Sequence, residues 1–306
     1  MRALAALAGW GRWLLIAGLV AGTLLPGLAR AFAPAIVPLL AVLLCLAGLR
    51  EGPRAALPAR AGLRSGLTAT LALQFALPLL AGAALWAGGL LDAPLALAAL
   101  LVFAAAPITG APGLAVMSGA DAGAALRQLT LGTALLPLTA LPVFALLPVF
   151  PDPMAVFGGA LRLLLLIALA VGLAGLLRRV LPALSRPEAR PAIDGAMALA
   201  MALVVVGLMS ALAPAARDAP GALALTFLFA WALYLAQSLG AWRIGRRLTA
   251  KTEARAFAIS AGNRNLALFL AAIPPEMAAP FMVFIGCYQV PMYLTPLVLP
   301  RLTGRG

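Results

Sequence analysis

Helix-length apolar runs follow one another along this chain from about residue 12 to residue 299, with connections too short to hold a domain. Each run is close to the roughly 20 residues that a helix needs to cross the hydrocarbon of a bilayer. The runs are continuous and rich in Leu and Ala, not alternating, which argues against the short two-faced strands of a transmembrane barrel. With 64% of the 306 residues apolar and 10% charged, a water-soluble domain could not hide the surface. The expected fold class is therefore an all-α membrane protein.

The apolar runs predict ten spans, at about 12–28, 33–50, 65–89, 94–118, 124–149, 157–177, 192–213, 220–241, 254–274 and 278–299. Residues 1–33 read as a first span and not as a cleaved signal peptide, because the later spans continue the same pattern. Basic residues are retained on the cytoplasmic side. With the N-terminus inside, the inner segments hold eighteen Lys and Arg residues and the outer ones only Arg30, Arg162 and Arg217. An even number of spans brings the C-terminus to the cytoplasm too, so the expected location is the plasma (inner) membrane. The net charge of +13 then follows from topology, and no nucleic-acid partner is expected. Cys45 and Cys287 both fall in apolar runs and there is no histidine, so no disulfide framework, metal site or cofactor is expected.

A cut near residue 153 leaves five spans on each side. Five is odd, so residues 1–153 and 154–306 enter the membrane from opposite faces, which is the arithmetic of an inverted repeat. The fourth span of each half is interrupted at its centre. Span four contains Pro107-Ile108-Thr109-Gly110-Ala111-Pro112-Gly113, and span nine contains Ser260-Ala261-Gly262-Asn263-Arg264-Asn265. Two prolines remove backbone donors, and Gly110 and Gly113 permit non-helical angles. Irregular backbone at this depth survives only beside a cavity or buried polar partners.

Arg264 is the one basic residue that is not at a membrane border, and all nine acids lie in or beside connections. A central arginine costs about 2.5–3.5 kcal/mol to insert unless something compensates it. The available compensation is helix-end carbonyls, the side-chain oxygens of Asn263, Asn265 and Ser260, or a bound anion, with a half-helix N-terminus at the crossing adding attraction for the anion. The absence of an intramembrane acid or histidine also disfavours proton coupling. Polar residues of other spans, among them Gln74 in span three and Gln289 in span ten, are candidates for lining a cavity.

The pattern resembles the bile acid:sodium symporter family. The likeness is carried by Gln74-Phe75 with Pro78-Leu79-Leu80-Ala81-Gly82, by Ala106-Pro107, by Thr133-Ala134-Leu135-Leu136-Pro137-Leu138 and by the span-nine break. The resemblance implies ten helices in two inverted five-helix repeats, with broken helices four and nine crossing at the midplane. It further implies a core domain of spans 3–5 and 8–10 that moves against a panel of spans 1, 2, 6 and 7. Its substrates are small organic anions. The family's span-nine signature has Glu and Gln where this chain has Ser260 and Arg264, and its Ser-Asn pair in span four here reads Pro112-Gly113. Of the sodium-binding side chains that align, Gln74 remains.

The expectation is a secondary active or facilitative transporter of a small organic anion working by alternating access, with the Arg264 guanidinium in place of a sodium ion. Its substrate-binding candidates are Arg264, Asn263, Asn265, Ser260, Thr109, Gly110, Gly113, Gln74 and Gln289. A sodium-coupled symporter with a rearranged ion site is the alternative within transport. A membrane sensor or an intramembrane enzyme is the alternative outside it, and the missing histidine and mid-membrane acid weigh against the enzyme.

Overall fold

The structure is a computed structural model that describes residues 2–51, 60–147, 150, 152–273 and 275–304. Arg54, Arg305, Pro151, Pro274 and the end of the fifth expected span at 148–149 lie outside the described residues. Every regular element among the described residues is helical. In chain order the α-helices are α1 Arg2–Gly9, α2 Gly11–Leu24, α3 Pro26–Phe32, α4 Ile36–Glu51, α5 Arg60–Leu71, α6 Leu77–Ala87, α7 Pro94–Ala104, α8 Ala111–Met117 and α9 Ala122–Thr139. They continue with α10 Leu141–Phe144, α11 Pro153–Val180, α12 Arg190–Leu208, α13 Leu212–Asp218, α14 Pro220–Leu248, α15 Lys251–Gly262, α16 Pro275–Tyr293 and α17 Thr295–Thr303. A π-helical turn, Ala72–Ala76, joins α5 to α6.

Five helical stretches are long and apolar enough to cross a membrane: Pro26–Glu51, Gly62–Ala87, Pro153–Val180, Pro187–Asp218 and Pro220–Leu248. Two bent pairs bring the number to seven when each is taken as one span. The protein is thus a multi-pass membrane protein, and large apolar side chains such as Leu80, Leu169 and Leu228 project outward, where lipid is their natural solvent.

Several sequence boundaries move. The first expected span opens with an additional helix, α1, and ends at Leu24, because Pro26 starts the next helix. The fifth ends at Thr139, short of its expected limit; Pro137 inside α9 and Pro142 just beyond it each remove a ladder donor. The tenth bends by 59° between Phe281–Tyr293 and Thr295–Thr303, where Pro296 cannot donate to a continuous ladder. The eighth runs on to Leu248, so Arg243, Arg246 and Arg247 belong to a helix and not to a loop.

The chain divides into two compact units, residues 1–57 with 165–223 and residues 58–164 with 224–306. In the first, α12 packs against α1, α2, α3 and α4. Arg50 there pairs with Asp194 and Glu51, and Arg178 donates to the Leu49 carbonyl. In the second, α9 lies against α5, α8 and α15, α7 against α6 and α16, and α17 against α8 and α15. The Asp121 carboxylate accepts from the Ala124 N–H at 3.0 Å and so caps α9, while Arg127 reaches Glu253 at 3.4 Å and ties α9 to α15. All the candidate site residues belong to this second unit.

Candidate functional site

Two helices stop short inside the second unit, and their loose ends meet. Helix α7 ends at Ala104, and Ala105 takes an extended conformation. The following Ala106 precedes Pro107, a position biased away from helical angles. Helix α15 ends at Gly262, after which Asn263 and Asn265 leave the helical region with ψ of 85° and 69°. The two irregular segments then pair as a short antiparallel bridge, Pro107 opposite Arg264. The Ile108 N–H donates to the Asn263 carbonyl at 2.8 Å and the Asn265 N–H to the Ala106 carbonyl at 2.8 Å. The bridge meets the requirement that buried backbone groups be paired, using one break to satisfy the other.

The same breaks orphan carbonyl oxygens, and Arg264 collects them. Its Nε donates to Ala261 O at 2.9 Å, its Nη1 to Ala105 O at 2.8 Å and its Nη2 to Leu73 O at 3.3 Å. Each acceptor is free for a local reason. The Asn265 N–H, which an unbroken helix would return to Ala261 O, goes to Ala106 instead. Ala105 O lies past the last turn of α7. Leu73 lies in the π-helical turn, where the Leu77 N–H reaches back to Ala72 O. The next donor in that register would be Pro78, which has none.

The Arg264 side chain is 1% exposed and takes part in no ion pair among the described residues. Charge-assisted hydrogen bonds contribute about 1.5–3 kcal/mol each, so the set of contacts outweighs an insertion cost of about 2.5–3.5 kcal/mol. Of the sources of compensation open in the sequence, the helix-end carbonyls are the ones in contact. The side-chain oxygens of Asn263, Asn265 and Ser260 make no bond to the guanidinium. Nor does Arg264 touch a half-helix N-terminus: its partners Ala105 and Ala261 belong to the C-terminal ends, where the backbone dipoles present negative charge.

A second layer holds the bridge in place. The Tyr288 hydroxyl donates to Gly262 O at 2.9 Å and accepts from Gln237 Nε2 at 3.1 Å. Thr295 donates its single proton to Asn263 Oδ1 at 2.9 Å, which leaves the Tyr234 hydroxyl, 2.7 Å away, as donor to Thr295. Asn263 Nδ2 returns to Ile259 O at 2.9 Å. Close approach requires glycine at two points. A Cβ on Gly262 would lie 1.9 Å from Ser238 Oγ, and one on Gly132 of α9 would lie 2.7 Å from Pro107 Cδ and 2.8 Å from Gln74 Oε1.

The sequence candidates separate accordingly. Arg264, Asn263 and Asn265 form the bridge, and Thr109, buried, follows Ile108 directly. Asn265 is 7% exposed and its side chain makes no hydrogen bond, and the Ser260 hydroxyl is buried without a partner. Gln74 is buried one residue from Leu73 but turns to α9, where Nε2 donates to Gly132 O at 2.8 Å and Thr139 Oγ1 at 2.9 Å; its Oε1 is unpartnered. Gly110 is half-buried at the start of α8, whereas Gly113 faces outward and Gln289 donates along its own helix to Ile285 O. Tyr234, Thr295, Thr139 and the Leu73 carbonyl escaped the sequence reading. The signal for Leu73 was present in Pro78, five residues ahead. No protein-family model matches the chain, and no curated protein matches it.

Proposed function

We propose that this protein is a carrier of small organic anions that works by alternating access without sodium, in the manner of a divergent bile acid:sodium symporter. On this reading each interrupted pair, α7 with α8 and α15 with the short helical turn Leu266–Ala271, counts as one crossing. The chain then has ten spans in two inverted five-span repeats, both termini in the cytoplasm and the plasma (inner) membrane as its location. Alternating access asks for two bodies that move as wholes, and the division of the chain into two compact units supports that part of the reading.

One observation carries the reading: three carbonyl oxygens, orphaned by three separate interruptions, converge on a guanidinium instead of a metal ion. Unwound carbonyls and half-helix C-terminal ends are where secondary transporters coordinate a driving cation. Here a covalently attached cation fills that position, so there is nothing to load or release with each cycle. Its unbalanced positive charge remains at the bridge and favours a negatively charged passenger beside Asn265 in the bridge and Thr109 next to it, polar residues whose side chains make no hydrogen bond among the described residues.

The test is uptake of a panel of small carboxylates and sulfonates into proteoliposomes, with sodium present or replaced by choline. The expected result is uptake of at least one anion at the same rate in both media, lost in Arg264→Gln. A strong loss in choline overturns the sodium-free cycle, and binding of an anion with no translocation in either medium overturns the carrier.

A further inference from the structure

Helix α15 carries a second buried arginine. Arg255 is 4% exposed, and its donors are spread over two other helix ends. Nη1 donates to Ser118 O at 3.2 Å and Gly119 O at 3.0 Å, just past α8; Nη2 donates to Gly304 O at 2.6 Å and Nε to Thr303 Oγ1 at 3.1 Å, at the end of α17. These bonds leave one Nη2 N–H unengaged.

This arginine borders a cavity. The space measures about 470 Å³ and is lined by Ser118, Lys251, Thr252, Arg255 and Arg301, with an apolar wall from α17. No acid lines it, and the acids that neighbour it in sequence are engaged elsewhere: Asp121 caps α9 and Glu253 holds Arg127. Lys251 and Arg301 have no ion-pair partner among the described residues. The Ser118 hydroxyl is buried and has no partner among the described residues, an orphan polar group of the kind that a ligand would satisfy.

We propose that this cavity is an anion site for a phosphate group. Three cations around one space leave a monoanionic carboxylate outnumbered, whereas a phosphate brings close to two negative charges and enough oxygens for the ammonium, both guanidinium groups and the hydroxyls together. The volume exceeds what phosphate alone fills and falls in the range of small-molecule sites, so the group arrives attached to a larger body. That body is either a soluble phosphate monoester or phosphatidic acid, the phospholipid whose phosphate is itself a monoester. On the proposed topology the cavity opens at the cytoplasmic end of α15.

The test measures binding and needs no translocation, so it stands or falls apart from the carrier reading. Protein in neutral detergent is titrated calorimetrically with glycerol 3-phosphate. Protein in phosphatidylcholine nanodiscs, with and without phosphatidic acid, is examined by native mass spectrometry for retained lipid. Lys251→Gln with Arg301→Gln removes two exposed cations that make no inter-helix bond, and a thermal melt checks its fold. Saturable binding of the ester, weakened about tenfold by the double variant, supports a soluble ligand. Retention of phosphatidic acid alone, lost in the double variant, supports the same site with a lipid headgroup in it. Absence of both, or binding of either to the double variant as tight as to the native protein, overturns the proposal. Arg255→Gln is a second check, expected to abolish binding even where the fold is retained.

Discussion

Arg255 lies within α15 and Arg264 just past its end, and the two satisfy the same kind of partner, yet they answer different needs. Both donate to carbonyls left over at helix ends, and both are almost wholly buried. Arg264 is sealed: its acceptors come from three interruptions that meet at one point, and the bridge to Pro107 is built around it. Arg255 holds the ends of α8 and α17 together and faces a cavity with two further cations, while the Trp242 ring lies 5.8 Å from its guanidinium. Capping helix C-termini with arginine therefore makes a joint where the space is closed and a port where it is open. Neither arginine pairs with a carboxylate among the described residues, so the chain leaves the charge of each unneutralised.

The sharpest way to break the comparison is to remove each charge in turn. Arg264→Met leaves Ala105 and Ala261 with buried, unanswered carbonyls and Leu73 with a part-buried one, and at about 1–3 kcal/mol for each buried group the variant should lose at least about 2 kcal/mol of stability. Arg255→Met also orphans carbonyls, but those of Gly119 and Gly304 are only part-buried, so water can reach them and the loss should be smaller, about 1–2 kcal/mol. Thermal unfolding of both variants in one detergent measures the gap. Equal losses would mean that the sealed and open settings do not differ.

Gly262→Ala probes the joint alone. Its Cβ would collide with Ser238 Oγ at 1.9 Å, and overfilling of this kind costs about 1–3 kcal/mol. Adding Ser238→Ala removes the offending oxygen and should recover most of the loss. A Gly262→Ala variant as stable as the native protein would show that α14 and α15 are free to separate at this point.

How much of this was legible follows from which forces are local. The interruptions in spans four and nine were readable, because Pro107, Pro112 and Gly262 act on their own backbone. Arg264 as the odd charge was readable too, since a cation in an apolar run needs no structure to be conspicuous. What it bonds to was not, because carbonyl oxygens have no letter in a sequence: Leu73 becomes an acceptor only when the π-helical turn sets its would-be donor onto Pro78. Arg255 did not stand out in the sequence, for the opposite reason. Its position near a membrane border made it one of many basic residues, whereas the ends of α8 and α17, far apart in sequence, close over it. The outward face of Gly113 could not be foreseen either, as it depends on where α8 starts to turn.

The smallest expected effect concerns the link between joint and port. Arg127 and Glu253 tie α9 to the first turn of α15 across 3.4 Å, with about a quarter of each side chain exposed. A pair so placed is worth about 0–1 kcal/mol and weakens as salt is added. Glu253→Gln should therefore lower stability by under about 1 kcal/mol at low salt, and the difference should vanish at high salt. It should also strengthen phosphate binding slightly at low salt, because Glu253 is the acid nearest in sequence to Lys251 and its loss frees Arg127 to add to the local field. A loss of stability that persists undiminished at high salt would show that the ion pair with Arg127 is not the source of the Glu253 contribution.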